Sequence, residues 1–157
     1  MALTTDGIQI QILSSIHTYR SNRDKCSTND CKVVVSHLIR KYSEPLHRAG
    51  RVQRRASHVV MSGEIDDTIE DHAVPVIVLV EDLLGWDIDN LHSMEDGMRR
   101  LQAYLEQSLL LVEITRQEDA LLSASGFQRR MPAGWSIEGD ALYRNPLARY
   151  IACGISV

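Results

Sequence analysis

The sequence is poor in the groups from which most sites are built. It has three cysteines, Cys26, Cys31 and Cys153, an odd and small number that argues against a disulfide framework and makes a reducing, cytoplasmic setting the expectation. Cys26-x4-Cys31-x5-His37 lacks the fourth ligand and the tighter cysteine pairs of a zinc site, so no metal is expected there. There is no Gly-x-Ser-x-Gly, no phosphate-cradling glycine loop and no signature around a nucleophilic cysteine. The aromatics are two Trp, five Tyr and one Phe, and none interleaves with the basic run Arg48–Arg55. A surface that stacks single-stranded bases is therefore not expected. The longest apolar run, Ala73–Val80, spans eight residues, far short of the roughly 20 that a membrane-crossing helix needs. The start, Met1-Ala-Leu-Thr-Thr-Asp, has no basic region ahead of an apolar stretch, so no secretory signal is expected.

What is present is an ordinary globular composition with an unusual charge distribution. At 157 residues, 44% hydrophobic and 24% charged, the chain is most simply one domain, long enough to bury a core. The net charge of −4 hides three blocks. Residues 1–63 carry ten Lys and Arg against four Asp and Glu; residues 64–96 carry none against eleven; residues 97–157 carry seven against six. An acidic block of that purity shapes partner choice and association rate more than fold, and it also suits a plain solvated surface.

Hydrophobic spacing places the elements. Ile8, Ile12, Ile16 and Tyr19 lie on one helical face after Asp6-Gly7, giving a helix over Ile8–Arg20. Ser27 or Thr28 caps a second helix with Val34, Leu38 and Tyr42 on its stripe, widened by Val35 and Ile39, and Pro45 stops it. The basic run Arg48, Arg51, Arg54 and Arg55 follows, with the last three on one side if Val52–Met61 is helical. Glu64–Asp71 reads as an extended or irregular surface segment anchored by Ile65 and Ile69. Length favours a helix from Pro75 to Leu84 with Gly85 at its end, although Val76–Val80 is β-branched enough for a strand. Ser93 opens a helix bearing Met94, Met98, Leu101 and Leu105. Leu109–Ile114 reads as a buried strand, and Thr115-x-x-Glu118 as a capping box. A long irregular loop over Phe127–Asn145, a short helix Leu147–Cys153 and a small strand Ile155–Val157 complete the chain. The expected fold class is α+β: a mostly helical single domain of about five to six helices with a small sheet.

Two elements carry resemblances. Asp71-His72-x-x-Pro75, with Asp89-Asn90-Leu91 downstream, resembles the HNH (histidine–metal finger) nuclease motif. That resemblance implies a divalent metal held with help from Asp71, water activated by His72 as general base, and Asn90 orienting the histidine. The chain departs from the family after that point: the window Met94–Gln102 has no closing His or Asn, and the intervening segment is apolar rather than glycine-rich. More loosely, Glu70-Asp71-His72-x-x-Pro75, Ile114-Thr115-x-x-Glu118-Asp119, Met131-Pro132 and Ala148-Arg149-Tyr150-x-x-x-Gly154-Ile155 are similar to small uncharacterised bacterial and phage proteins. No chemistry follows from that similarity.

Two function classes follow. In the first, the acidic residues Glu64, Asp66, Asp67, Glu70, Asp71, Asp87 and Asp89 imitate a phosphate backbone and bind a basic, nucleic-acid-handling protein, in the style of mobile-element inhibitors of host defence nucleases. No cofactor is needed. In the second, the chain is a metal-dependent nuclease using Asp71, His72 and Asn90. The basic residues Arg48, Arg51, Arg54 and Arg55 suit phosphate, or pairing with the acidic block within one molecule or across a homodimer.

Overall fold

The computed structural model describes residues 3–44 and 52–157. Among these the fold is α+β and mostly helical, with seven helices, five of them of seven residues or more, and one three-stranded sheet. The chain divides into two compact units that interleave along the sequence: Met1–Arg51 with Leu79–Gln107, and Val52–Val78 with Ser108–Val157. The charge blocks and the compact units therefore cut the chain differently. The acidic block is shared, residues 64–71 falling in the second unit and 81–96 in the first.

The first unit is helical. Helix α1 (Thr5–Ser21) is capped by Thr4, whose side chain accepts from the Gly7 amide, one turn earlier than Asp6-Gly7 suggested. It buries Ile8, Ile12, Leu13 and Ile16. Helix α2 (Thr28–Ser43) starts in a complete capping box, with Ser27 and Asp30 each satisfying the other's backbone amide. It packs on α1 and buries Val35, Leu38, Ile39 and Tyr42, whereas Val34 is 47% exposed, at the stripe's outer margin. Pro45 lies outside the described residues. After the short α3 of the second unit (His58–Met61), α4 (Val76–Leu84) forms a helix over the expected span, its first three residues belonging to the second unit, and α5 (Met94–Ser108) is opened by Ser93, which accepts from the Asp96 amide.

The second unit holds the sheet. Strands β1 (Gln53–Ala56), β2 (Thr68–His72) and β3 (Leu110–Thr115) lie in the order β1-β3-β2, with β1 parallel and β2 antiparallel to β3. Leu110, Val112 and Ile114 face a core with Ala73, Leu122, Tyr150 and Ile155, against which Ile69 packs. Helix α6 (Arg116–Ala124) starts in the Thr115–Glu118 capping box, and α7 (Ala148–Cys153) ends at Gly154. Gly154 takes φ 71°, a left-handed backbone that glycine adopts at no steric cost and that turns Ile155 back to the core.

Two segments differ from the sequence reading, and a third is made more definite. Val52–Met61 is not one helix: Gln53–Ala56 forms strand β1, because β3 offers it a parallel edge, and only His58–Met61 is helical. Glu64–Asp71, read as extended or irregular, is extended from Thr68 onward as strand β2. Ile155–Val157 is not a strand; Ser156 contributes one bond, accepting from the His58 amide.

Candidate functional site

Strand β2 fixes the orientation of every candidate residue in its stretch. The Ala73 amide donates to Leu110 O and the Arg116 amide to Asp67 O. These two bonds set the phase of the antiparallel ladder: Ile69 and Asp71 exchange bonds with β3, while Thr68, Glu70 and His72 turn their backbone groups to the free edge. Side chains alternate in the same register. Ile69, Asp71 and Ala73 point to the core face, and Thr68, Glu70 and His72 to the opposite one.

Asp71 is thus a carboxylate aimed at a hydrophobic core, and two residues of α7 meet it. Arg149, only 1% exposed, donates from Nη2 to Asp71 Oδ2 at 2.6 Å. Tyr150 Oη donates to the same oxygen at 2.6 Å. The guanidinium also donates from Nε to Ala73 O and from Nη1 to Phe127 O, both at 2.8 Å, and from Nη2 to His72 O. One buried cation therefore joins the end of β2, the exit of α6 and the start of α7. Such a charge is tolerated only because it is paired and saturated with acceptors. Burial, then the Asp71 charge and its hydrogen bond, push the Tyr150 hydroxyl well above its ordinary value, against the opposing pull of Arg149.

The clamp also protects the sheet edge. Of the outward backbone groups on β2, the Thr68 amide donates to Asp66 O and His72 O accepts from Arg149. Among the described residues the groups around Glu70 lie between these two stops, too few to template another strand.

The opposite face of the sheet is charged. Glu70 and Glu113 are direct cross-strand partners, in the register where side chains lie closest. Both are exposed, and like charges so placed repel. Arg54 of β1 pairs with Glu70, and Thr68 Oγ1 donates to Glu113. Ahead of the strand, Glu64, Asp66 and Asp67 are exposed, and Arg116 reaches Asp67 at 2.7 Å.

The remaining sequence candidates lie elsewhere. Asn90, Asp87 and Asp89 belong to the first unit. Asn90 donates to Asp87, and Arg20 holds Asp89 at 3.2 Å and Asp87 at 4.0 Å. His17 lies 3.5 Å from Asp89. Arg54 and Arg55 stand on β1, while Arg48 and Arg51 lie outside the described residues. Sequence reasoning missed Arg149, Tyr150 and Glu113 as site residues. An arginine inside the otherwise apolar Leu147–Cys153 was the available signal, because a charge on a buried helix demands a partner. Glu113, inside a strand taken as wholly buried, interrupts the apolar run at the one exposed position.

Among the described residues no group of three or more His, Cys, Asp and Glu is placed to hold a metal ion, and no helix is long and apolar enough to cross a membrane. In comparisons with known proteins, no family model, no curated protein and no solved structure matches the chain.

Proposed function

We propose that the protein is a cytoplasmic, non-enzymatic interaction protein whose acidic sheet edge binds a basic partner, with a nucleic-acid-handling protein as the fitting class. The observation that carries this reading is the Glu70–Glu113 pair, two exposed carboxylates held side by side by strand register, with Glu64, Asp66 and Asp67 leading into it. Arg54 at Glu70 and Thr68 at Glu113 relieve their repulsion only in part, so a cation from outside adds to that relief and association gains from it. The internal pairs to Arg54 and Arg116 are partly or largely exposed. Pairs of that kind contribute at most about 1 kcal/mol, so a partner's Arg or Lys exchanges with them at little cost. A row of fixed carboxylates of this kind competes with a phosphate backbone for a basic channel, the style of a mobile-element inhibitor.

The nuclease alternative draws less from the geometry. Asp71 Oδ2 already accepts from Arg149 and Tyr150, and the segment after His72 is helix α4 rather than a hairpin. A nicking assay on supercoiled DNA with Mg²⁺, Mn²⁺ or Zn²⁺ separates the two readings. Metal-dependent cleavage that His72→Ala removes establishes the nuclease; absence of cleavage, with binding of a basic partner that charge neutralisation at Glu64, Asp66, Asp67 and Glu70 abolishes, establishes the interaction protein.

A further inference from the structure

The first unit contains a second arrangement that the acidic-edge reading does not use. Helix α2 begins with a complete capping box at Ser27 and Asp30. In helices that start this way, an apolar residue just before the cap often packs against one a turn into the helix, as a staple. Here those two positions are Cys26 and Cys31. The bonds around the cap bring them to one carbonyl: Cys26 Sγ donates to Ser27 O at 3.9 Å, and the Cys31 amide donates to the same oxygen at 3.3 Å. Both cysteines line one groove of about 330 Å³ between α1 and α2, with Ser14, Ser15, Thr18 and Val34 on its walls. Both are free thiols.

We propose that Cys26 and Cys31 form a thiol pair that closes to an intramolecular disulfide by exchange with a low-molecular-weight disulfide such as oxidised glutathione. The half-buried Cys26 is the attacking thiol and the buried Cys31 the resolving one. The Cys26 thiolate attacks one sulfur of the external disulfide, forming a mixed disulfide and releasing one thiol. The Cys31 thiolate then attacks Cys26 Sγ, forming the internal S–S bond and releasing the second thiol. The external S–S bond is broken, and two electrons and the two cysteine protons leave with the released thiols. The order follows from access: the groove admits a small disulfide to Cys26, while Cys31 Sγ is turned to Ser15 O at 3.8 Å. Burial, and next the neighbouring Cys26, raise the Cys31 thiol above its usual range, which disfavours it as the first attacking group.

The test uses the full-length reduced protein in defined mixtures of reduced and oxidised glutathione, quenched in acid and digested with trypsin. Lys25 and Lys32 flank the pair, so both thiols fall in the single peptide Cys26–Lys32. That peptide is expected two hydrogens lighter, and the closed form is expected to persist at a ratio of reduced to oxidised glutathione about tenfold higher in the folded protein than in urea, because the capped helix raises the effective concentration of one thiol at the other. In Cys31→Ser a glutathione adduct is expected to accumulate at Cys26. A stable adduct at Cys26 in the wild-type chain, closure no more favourable folded than in urea, or an unmodified Cys26 in Cys31→Ser would each overturn the proposal.

Discussion

Arg149 Nη2 lies 2.6 Å from Asp71 Oδ2, and the arginine is almost completely buried. The pair links positions 78 residues apart in the chain, and the same guanidinium caps His72 O, Ala73 O and Phe127 O. It sets what the acidic stretch can do, because it ties Asp71 to the core side and leaves Glu70 exposed on the strand's other face.

Removing one partner of this pair leaves the other charge buried and uncompensated. Asp71→Asn, which keeps the shape, is expected to lower stability by about 3–5 kcal/mol in urea unfolding. Arg149→Lys is expected to lose at least about 2 kcal/mol, since a single ammonium does not reach the acceptors that the planar guanidinium serves. Either variant unfolding within 0.5 kcal/mol (roughly the level of a surface change) would show that the clamp is not structural.

The Tyr150 hydroxyl gives a pH signature. Its folded-state value is raised above the ordinary 10.0. Below about pH 10 both folded and unfolded chains keep the proton and the contribution to stability is complete. Above it the unfolded chain releases the proton while the folded chain holds it, so stability falls with a slope of up to about 1.4 kcal/mol per pH unit. Urea unfolding between pH 8 and 11 is expected to show that slope in the wild type and a shallower one in Tyr150→Phe. Parallel slopes would contradict the burial assigned to the hydroxyl.

Glu118 serves two donors at once, accepting from the Thr115 amide at 2.9 Å and from Ser57 Oγ at 2.7 Å. Ser57 is fully buried at the end of β1. Glu118→Ala is therefore expected to cost about 2 kcal/mol, more than the roughly 1 kcal/mol of a simple lost cap, and Ser57→Ala in the same background should cost less than in the wild type, keeping only the loss of its cap on the Val60 amide. Full additivity of the two changes in a double-mutant cycle would refute the shared acceptor.

Gly97 offers a sign test in the first unit. Helix propensity alone says that Gly97→Ala in α5 stabilises by about 1 kcal/mol. A Cβ there would lie 2.9 Å from Leu91 Cδ1 and 3.2 Å from Leu13 Cδ1. Overpacking of that kind costs about 1–3 kcal/mol, so the substitution is expected to lower the unfolding midpoint. A raised midpoint would mean that both leucines move aside freely.

Local signals made much of the fold legible. Ser27, Ser93 and Thr115 announce their helices through side-chain caps, and those bonds form between near neighbours. Strands β1 and β2 were less visible for the opposite reason. Gln53–Ala56 and Thr68–His72 are short and polar, and they become strands because the apolar β3 lies between them, its paired residues 39 or more positions away in the chain. The site followed the same division. The exposed carboxylates Glu64, Asp66, Asp67 and Glu70 were evident from charge alone. The inward turn of Asp71 was not, because it depends on register and on Arg149, both set by tertiary structure.

The most direct measurement is a fluorescence anisotropy titration of an arginine-rich peptide with three forms of the protein at low and high salt. The first is wild type; the second neutralises the edge with Glu64→Gln, Asp66→Asn, Asp67→Asn and Glu70→Gln; the third carries Asp87→Asn and Asp89→Asn, carboxylates of the first unit that Arg20 already holds. The expected result is salt-sensitive binding by wild type and by the third form, with at least about a tenfold loss in the second. Equal binding by all three forms, or a larger loss in the third than in the second, would contradict an acidic edge on β2 as the binding surface.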